Sequence, residues 1–555
     1  MTSQTAPTLT KDDLPIWMRR SMHGNDYGAW LVLLFTLVIA WFFLVGPHLP
    51  ASNQSLQHTY RVTNYADALR EGRLYPRWDP YANAGYGAPI PHFAAPAAHY
   101  IAAILDVFIT NDPVTAVRYT FTIGLLLTAG GTYGLVVRIR GAGAAVLAAL
   151  LAITAPYVGL TSPHVLGDLP GTLALGLFAM LLWAVHRLMT VNYPHDFALV
   201  TILATLLVLT DPVIALASGF IAAGLMTWLA AAGYSERFAL TTLALLVSGL
   251  LSSFFWWPAI AEGGVVQWVT HIPTTRVTFM TFYGLFAPFQ QVAPSAFAPE
   301  PPLMMGYLHL SFGAFALVFL LWRRLIWSID ALFLATSVLA LGVGLTLFPT
   351  QIWLLGIAAI CLSIASSIAL QWRMFFPLPA QRWLLMSLLM ITLGASAPVW
   401  LPPSPTQIIT TASPTAQLQH ELSGYGAASV PAGQRYASTI SPNTPVNLAL
   451  VNSIQQGNPN RIETASIAPD VRVATLREAS HSRQYQVAAT GSSILQIRQA
   501  FFPGWSASLA NGRNLNTAPT ADGLLEIAVP RAEEQVLNIW LGTTDKPRGS
   551  SNVGC

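Results

Sequence analysis

Apolar blocks of about 17 to 25 residues recur along this 555-residue chain, from Gly28 to Trp400. As a helix, such a block crosses a hydrocarbon core of about 30 Å, where every backbone polar group must be bonded within its own segment. Only 9% of the residues are charged, whereas ordinary soluble domains have roughly 25%. The sequence therefore predicts a polytopic α-helical membrane protein.

The basic residues predict how the chain is oriented, because short loops rich in Arg and Lys stay on the cytoplasmic side. Residues 1–27 are then cytoplasmic, and the block at Gly28 is a retained anchor rather than a cleaved signal. All later basic clusters fall on the same side if Phe93 to Ile109 does not cross. This reasoning gives about eleven spans within a bundle over residues 28–400. They lie near 28–46, 115–137, 142–160, 170–190, 196–210, 212–232, 238–258, 306–322, 328–347, 351–370 and 383–399.

The composition changes after Leu401 to Pro, Ser, Thr, Gln and Asn, with short apolar runs that alternate with a period of two. An odd span count puts this region outside, so residues 401–555 are predicted to be an extracytoplasmic β-rich domain of sandwich or jelly-roll type. Two roles remain open for it, namely docking of a carbohydrate or acceptor, and a lid that packs on the bundle or on a protein partner. The predicted strands are Tyr485–Ala489, Ser493–Phe502, Trp505–Ala510, Leu524–Val529 and Val536–Leu541, with turns at Asn511-Gly512 and Asp522-Gly523.

The external segment, residues 47–114, is rich in Arg, His, Trp and Tyr. A polar aromatic loop held against a membrane suits a lipid-phosphate or sugar ligand. Arginine forks match phosphate, and aromatic rings stack on sugars. The alternative is an interfacial aromatic belt with satisfied histidines. The candidate ligand-binding residues of this segment are His58, Arg61, Arg77, Trp78, Tyr86 and His92.

Three acidic residues are candidates for a general base: Asp79, Asp168 and Glu262. Each has a structural alternative. Asp79 follows Arg77 and Trp78, where an Arg–carboxylate pair would brace the loop. Asp168 lies at the outer mouth of a predicted span, where it would equally serve as a helix N-cap. Glu262 ends the run Trp256-Trp-Pro-Ala-Ile-Ala, where it would be a helix-end anchor.

Other chemistry is weakly indicated. His58, His92 and His99 with Asp79 or Asp106 offer donors for a divalent cation, but their spacing matches no compact ligand motif. No metal site is therefore assigned, and the cofactor stays open. The net charge of +3 is small, so nucleic acid is not an expected partner. The chain contains no P-loop, dinucleotide fingerprint, nucleophile elbow or zinc-protease motif.

Three stretches carry a family resemblance. They are His58-Thr-Tyr-Arg61 with Gly72-Arg-Leu-Tyr-Pro-Arg-Trp78 and Gly85-Tyr-Gly-Ala-Pro89; Phe254-Phe-Trp-Trp-Pro-Ala-Ile-Ala-Glu262; and Phe501-Phe-Pro-Gly-Trp505 with Asn511-Gly512. Through them the chain resembles the bacterial YfhO-type and 6-pyruvoyl-tetrahydropterin-synthase-related multi-span membrane proteins of the GT-C glycosyltransferase superfamily.

The resemblance implies a GT-C architecture in a bacterial cytoplasmic membrane. It also implies a first external loop with an acidic residue and a cavity at the outer face. The implied partners are membrane lipids and a polyprenyl-phosphate-linked sugar, and the implied reaction transfers that sugar to an exported acceptor.

This chain departs from the family at the loop acid. The acidic position before the His is occupied by Asn53-Gln-Ser-Leu-Gln57, and no Asp or Glu occurs between Gly46 and Arg61. Sugar transfer normally needs a carboxylate to take the acceptor proton or to hold a metal. Two main hypotheses follow: a glycosyltransferase with a replacement acid, and a non-catalytic scaffold subunit of a larger complex that presents the β domain to partners. A lipid or glycan flippase is a weaker third, since it requires a lateral groove reaching both leaflets.

Overall fold

The computed structural model describes residues 26–46, 48–50, 54–263, 267–269, 279–288, 301–370, 378–401, 408–410, 412–422, 436–438, 447–457, 459–463 and 471–542. It is mostly helical up to residue 401 and has a sheet region near the C-terminus, as the sequence predicts. The predicted domain boundary at residue 401 remains a prediction.

Helices occupy every apolar block for which the sequence predicts a span. Through the first half of the chain they are α1 (Tyr27–Ile39), α2 (Trp41–Val45), α3 (Ser55–Arg70), α4 (Ile90–Phe93), α5 (Ala97–Leu105), α6 (Pro113–Arg140), α7 (Ala142–Thr154), α8 (Leu169–Thr190), α9 (Pro194–Thr210), α10 (Pro212–Leu229), α11 (Phe238–Leu251) and α12 (Ser253–Ala261). The later ones are α13 (Phe282–Leu285), α14 (Tyr307–Trp322), α15 (Ile329–Thr346), α16 (Leu354–Ser366), α17 (Leu378–Ala395), α18 (Ala397–Trp400), α19 (Pro414–Leu422) and α20 (Leu448–Gln455).

Five helices of the described chain are long and apolar enough to cross a membrane. One is α7 with its π-helical continuation to Leu166, where 94% of the most apolar 18-residue stretch is buried, whereas only 33% is buried in the corresponding stretch of Pro212–Leu251. The less buried helices expose Leu216, Phe220, Leu246 and Leu250. Apolar faces of this kind suit contact with lipid tails. The structure thus describes a membrane-protein bundle with α7 at its centre, while eleven spans and the orientation remain predictions.

The stretch Ala97–Thr110 is one of the shorter apolar helices, which have 10–17 residues. At about 1.5 Å per residue, even the longest of these reaches about 26 Å, short of a hydrocarbon core of about 30 Å. Five segments that the sequence predicts to span fall in the same length class, so helix length does not decide which of them cross, and the prediction that Phe93 to Ile109 does not cross stays a prediction.

Aspartates start several of the long helices. Asp112 and Asp211 each accept two backbone N–H bonds from the first turn of α6 and α10, and Asp168 accepts one from Gly171 in α8. A proline follows in the first two helical positions each time, where its missing N–H leaves no bond unmade. These caps explain from sequence where the helices begin.

The C-terminal region contains two antiparallel sheets. The longer has the order β5 (Val471–Glu478), β6 (Ser482–Ala489), β12 (Ala532–Leu541), β8 (Trp505–Leu509), β9 (Asn514–Leu515), and the shorter has β10 (Thr517–Pro519), β11 (Leu524–Val529), β7 (Ser493–Ala500). Two small pairs join distant parts of the chain: β1 (Leu49–Pro50) with β3 (Ile408–Ile409), and β2 (Gln267–Val269) with β4 (Tyr436–Ser438). The five predicted strands are confirmed in position, and both turns have a glycine with φ above +80°. The sequence did not predict β5, β9 or β10, nor the helices α19 and α20.

Side chains from both sheets meet in one apolar core, and the external segment inserts into it. Trp78 and Tyr86 belong to this core, and the Trp78 ring meets Trp505 edge to face at 5.3 Å. Gly87 must lack a side chain, because a Cβ there would lie 2.5 Å from the Trp78 indole nitrogen. The buried Arg461 guanidinium donates to the carbonyl oxygens of Pro80, at 2.8 Å, and Gly85. The external segment is therefore a packed part of the C-terminal fold.

Replacing Trp78 by Ala should loosen this contact. The indole is 0% exposed, so truncation should cost about 3–5 kcal/mol and release the segment from the sheets. Limited proteolysis of the detergent-purified protein would detect new cleavage within residues 70–90. Trp257→Ala is the matched control, because its side chain is 65% exposed. Equal protease sensitivity of the two variants would contradict this account of the packing.

Candidate functional site

Three of the predicted site residues meet at one place, although they come from separate parts of the chain. Arg77 Nε donates to His92 Nδ1 at 3.2 Å. His92 Nε2 lies 2.8 Å from Glu262 Oε2, and Arg77 Nη2 lies 3.5 Å from the same oxygen. We call this group the Arg77–His92–Glu262 cluster. It combines a cation, a buried imidazole and a carboxylate that is 40% exposed.

Different elements hold each member of the cluster. His92 lies on the short helix α4, and Glu262 directly follows α12, whose backbone it caps. Arg77 is fixed through the main chain, because its N–H and that of Trp78 both donate to His481 Nε2, at 2.9 and 3.1 Å. The cluster thus lies where the external segment, the end of an apolar helix and the sheet region come together.

The hydrogen bonds assign the protonation of His92. Its Nδ1 accepts from Arg77, so the single proton of the neutral ring is on Nε2 and faces Glu262. Burial and the nearby Arg77 cation lower the pKa of His92 to about 4, although Glu262 acts in the opposite direction. Burial outweighs the ion-pair attraction here, and His92 is a neutral bridge at pH 7 that orients Glu262.

Asp79 points elsewhere. One oxygen accepts from the backbone N–H groups of Tyr81 and Ala82, and the other accepts from Gln417 at 3.3 Å. Burial raises the pKa of the Asp79 carboxyl, and these hydrogen bonds partly oppose the rise. The predicted Arg–carboxylate brace is replaced by a brace to the loop backbone and to α19. Asp79 is buried and already engaged, so its role as a base stays a prediction that this geometry does not favour.

His58 and Arg61 lie on α3, in a separate buried cluster. His58 Nδ1 lies 3.1 Å from His99 Nε2, and His58 Nε2 lies 3.3 Å from Gln54 Oε1. Burial lowers the pKa of His58 well below its usual value, helped by the charges of His99 and Arg61. The Arg61 charge also acts on Asp79. His58 and Arg61 are therefore near one another but belong to a different group from Arg77 and His92.

Asp168 is the N-cap of α8 and accepts from Gly171 N–H at 2.9 Å, which is the structural alternative that the sequence left open. A Cβ at Gly171 would lie 2.0 Å from the carboxylate, which explains the glycine. Burial raises the pKa of Asp168 to about 7, and Asp211 adds to the rise while the Gly171 bond opposes it. A carboxyl that titrates near neutrality remains a candidate acid or base.

Trp78 and Tyr86 were predicted to bind a ligand at the surface, and the structure corrects this placement. Both are buried in the core that the sheets share with the external segment. The sequence pattern is ambiguous, because aromatic residues between glycines and prolines occur in packed loops as well as in sugar-binding sites.

Several residues at the site were not predicted. His481 holds Arg77, and its Nδ1 lies 2.8 Å from Ser480 Oγ, which also contacts Glu71. Glu421 accepts from Ala84 N–H at 2.7 Å, and burial raises its pKa to about 8. These contacts join residues more than 300 positions apart, and no local spacing in the sequence indicates them.

Within the described ranges, His58, His92 and His99 are not arranged as a metal site. His58 and His99 pair with each other, His92 bridges Arg77 and Glu262, and Asp106 pairs with Arg70 at 2.9 Å. Among the described residues, no three His, Cys, Asp or Glu side chains are arranged to hold an ion.

No family model matches the chain, and no curated protein matches it. Solved structures of sugar transferases do align with it. An oligosaccharyltransferase from Archaeoglobus fulgidus aligns at 14% identity and a TM-score of 0.42, over 68% of this chain and 55% of its own. ArnT from Cupriavidus metallidurans, bound to undecaprenyl phosphate, aligns at 12% identity and 0.40, over 72% and 69%. Arabinofuranosyltransferase AftD from Mycobacteria aligns at 14% identity and 0.49, over 92% and 40%.

This chain therefore spans about half the length of the oligosaccharyltransferase that it matches. All three TM-scores lie below 0.5, so these likenesses establish neither the fold nor the activity of this chain. The resemblance to YfhO-type proteins stays a prediction.

The two buried histidines at the site should make the folded protein less stable at acidic pH. Burial, with help from nearby arginines, lowers the pKa of His92 to about 4 and that of His481 to about 3. At these two histidines the unfolded chain, with a pKa near 6.5, binds more protons in this window, so the stability that their neutral forms contribute should be complete above pH 6.5 and should be lost as the pH drops towards 4. Each histidine should contribute on the order of 3 kcal/mol of this loss.

Thermal unfolding in detergent at pH 7.5, 6.0 and 5.0 measures this dependence. His481→Gln should flatten it, because glutamine has no proton to bind, while His195→Gln, at an exposed position, should leave it unchanged. The comparison of the two variants decides the test, because burial raises the pKa of Asp168 and Glu421 and these carboxyls act in the opposite direction over the same pH range. An equal pH dependence of the wild type and His481→Gln would refute the assignment of a neutral buried His481.

Proposed function

We propose that this protein is a GT-C-like membrane glycosyltransferase that moves a sugar from a polyprenyl-phosphate donor to an exported acceptor at the outer membrane face. The observation that supports it best is the Arg77–His92–Glu262 cluster. It offers an exposed carboxylate, a neutral imidazole that orients it, and an arginine at the same place. The donor class comes from the family resemblance alone.

Glu262 is the proposed base. In an inverting transfer, the acceptor oxygen bonds to the anomeric carbon while the bond from that carbon to the lipid phosphate breaks. The acceptor proton passes to the Glu262 carboxylate, and the electron pair of the broken bond leaves with the phosphate. Glu262 suits this role better than Asp79, since it is partly exposed and its contacts leave room for a substrate hydroxyl.

Arg77 and His92 have supporting roles. The Arg77 guanidinium lies beside the carboxylate and offers its fork to the charge that develops on the leaving phosphate. His92 Nε2 lies 2.8 Å from one Glu262 oxygen and holds it by contact, which leaves the other oxygen for the acceptor. Asp168 is the second candidate base, because its pKa of about 7 suits proton transfer at neutral pH.

Glu262→Gln should reduce transfer by about 10²–10⁴-fold, because the amide keeps the shape but cannot accept the proton. The assay uses purified protein in lipid nanodiscs with undecaprenyl-phosphate-linked mannose, glucose, galactose and arabinose, and bacterial envelope lipids as acceptor. Release of free undecaprenyl phosphate is followed by mass spectrometry. Glu236→Gln, an exposed glutamate at a different helix end, is the control and should match the wild type.

A scaffold without catalysis is the second candidate function. It is favoured by the missing acid between Gly46 and Arg61 and by the burial of Trp78 and Asp79 in contacts with the C-terminal region. Failure of the wild type to release undecaprenyl phosphate from any of these donors would exclude the transferase for these substrates. The same low release from wild type and Glu262→Gln would then leave the scaffold as the working function.

A further inference from the structure

A continuous series of hydrogen bonds joins the end of α3 to the main chain at Arg77. Glu71 directly follows α3, and its carboxylate accepts from the Ser480 N–H at 3.2 Å and from the Ser480 hydroxyl. Ser480 Oγ lies 2.8 Å from His481 Nδ1. His481 Nε2 in turn accepts from the N–H groups of Arg77 and Trp78, at 2.9 and 3.1 Å. We call the first three residues the Glu71–Ser480–His481 relay.

The partners of the relay assign the position of each proton in it. Both partners of His481 Nε2 are backbone N–H groups, which can only donate, so Nε2 is an unprotonated acceptor. Burial, with help from nearby arginine charges, keeps the ring neutral, and its single proton is therefore on Nδ1. Nδ1 donates to Ser480 Oγ, and the Ser480 hydroxyl donates to the Glu71 carboxylate. All the protons of the relay thus point from His481 towards Glu71.

The tautomer of His481 depends on Ser480. A neutral histidine side chain in water favours the proton on Nε2, so the Nδ1–H form at His481 needs a group that selects it. The hydrogen bond at one ring nitrogen decides which nitrogen carries the proton, and Ser480 Oγ is the acceptor at Nδ1. A proton on Nε2 would face the N–H groups of Arg77 and Trp78 with a donor, and a buried N–H without an acceptor is costly.

Ser482 offers a matched comparison two residues further on. Its Oγ accepts from Arg73 Nη2 at 2.9 Å, which is also a hydrogen bond between the external segment and the sheet region. Ser480 and Ser482 are buried alike, at 7% and 8% exposed. The two serines differ in their partners, because Ser480 bonds to the His481 ring whereas Ser482 bonds to the Arg73 side chain.

We propose that Ser480, held by Glu71, is a positioning residue for the candidate site. It selects the His481 tautomer that fixes the main chain at Arg77, and it thereby sets where the Arg77 guanidinium lies. That guanidinium donates to His92 Nδ1 at 3.2 Å and lies 3.5 Å from Glu262 Oε2. The catalytic consequence of this role rests on the proposed function, whereas the tautomer and the fixed main chain do not.

The experiment compares the wild type with Ser480→Ala, Ser480→Thr and Ser482→Ala, each as the full chain in lipid nanodiscs. Solid-state NMR of protein with isotope-labelled histidine reports the tautomer of His481, whose signals are those that disappear in His481→Gln. Hydrogen exchange detected by mass spectrometry follows the peptide that contains Arg77 and Trp78. Sugar transfer is measured with the undecaprenyl-phosphate-linked donors used for Glu262→Gln.

The wild type should show His481 with Nδ1 protonated and Nε2 unprotonated. Ser480→Ala should shift the proton towards Nε2 and speed exchange of the peptide around Arg77 by about tenfold. It should also lower kcat/KM for transfer by about tenfold, because a displaced Arg77 no longer meets the phosphate in the right geometry. Ser480→Thr keeps the hydroxyl and should resemble the wild type. Ser482→Ala should keep the tautomer and show smaller changes in exchange and transfer.

A wild-type His481 that carries its proton on Nε2 would overturn the proposal, and this observation needs no variant. An unchanged tautomer in Ser480→Ala, with exchange and transfer equal to those of Ser482→Ala, would overturn it as well. Absence of transfer by the wild type would contradict the proposed function instead. The tautomer and the exchange rates would then still support or overturn the positioning of Arg77 by Ser480.

Discussion

Two backbone N–H groups, those of Arg77 and Trp78, donate to a single imidazole nitrogen of His481. The neutral form of that imidazole is required, because a protonated ring cannot accept a bond, and burial keeps the ring neutral. With the main chain fixed there, the Trp78 side chain enters the core between the sheets and Arg77 points the other way, towards His92. The position of Arg77 beside the candidate base therefore depends on a contact between segments about 400 residues apart.

The same burial that stabilises this junction decides its electrostatics. At an exposed site, the negative charge of Glu262 would favour the protonated form of His92, and the two would make a simple ion pair. Because His92 is buried beside Arg77, its neutral form is the more stable one. Glu262 then lies 2.8 Å from the His92 Nε2 and 3.5 Å from the Arg77 Nη2, yet part of its surface remains in solvent. A carboxylate that is held on one side and open on the other is better suited to meet a substrate than Asp79, which is enclosed by its own loop.

Sequence reasoning predicted the parts of the fold that are set by local patterns. Runs of apolar residues predicted the helices, and alternation predicted five strands of the sheet region. It failed where the outcome depends on contacts distant in sequence. Trp78 has the same local signature whether it binds a sugar or fills a core, and only the partner Trp505, over 400 residues away, decides between them. The strand β5 was missed because its residues are mostly exposed and lack a strong alternation.

The candidate acids also show that sequence spacing does not reveal contacts between distant residues. Asp79, Asp168 and Glu262 are equally plausible from spacing, but each is used differently by the fold: one braces a loop, one caps a helix, and one faces a neutral histidine at the surface. If the acid absent from residues 47–60 has been replaced, the replacement must lie on an element that reaches the external segment. Glu262, at the end of α12, meets this condition through its contacts with Arg77 and His92. Since the segment that makes those contacts has no acid between Gly46 and Arg61, a carboxylate on a neighbouring helix would bring the charge to it without requiring a change in the loop that packs on the sheets.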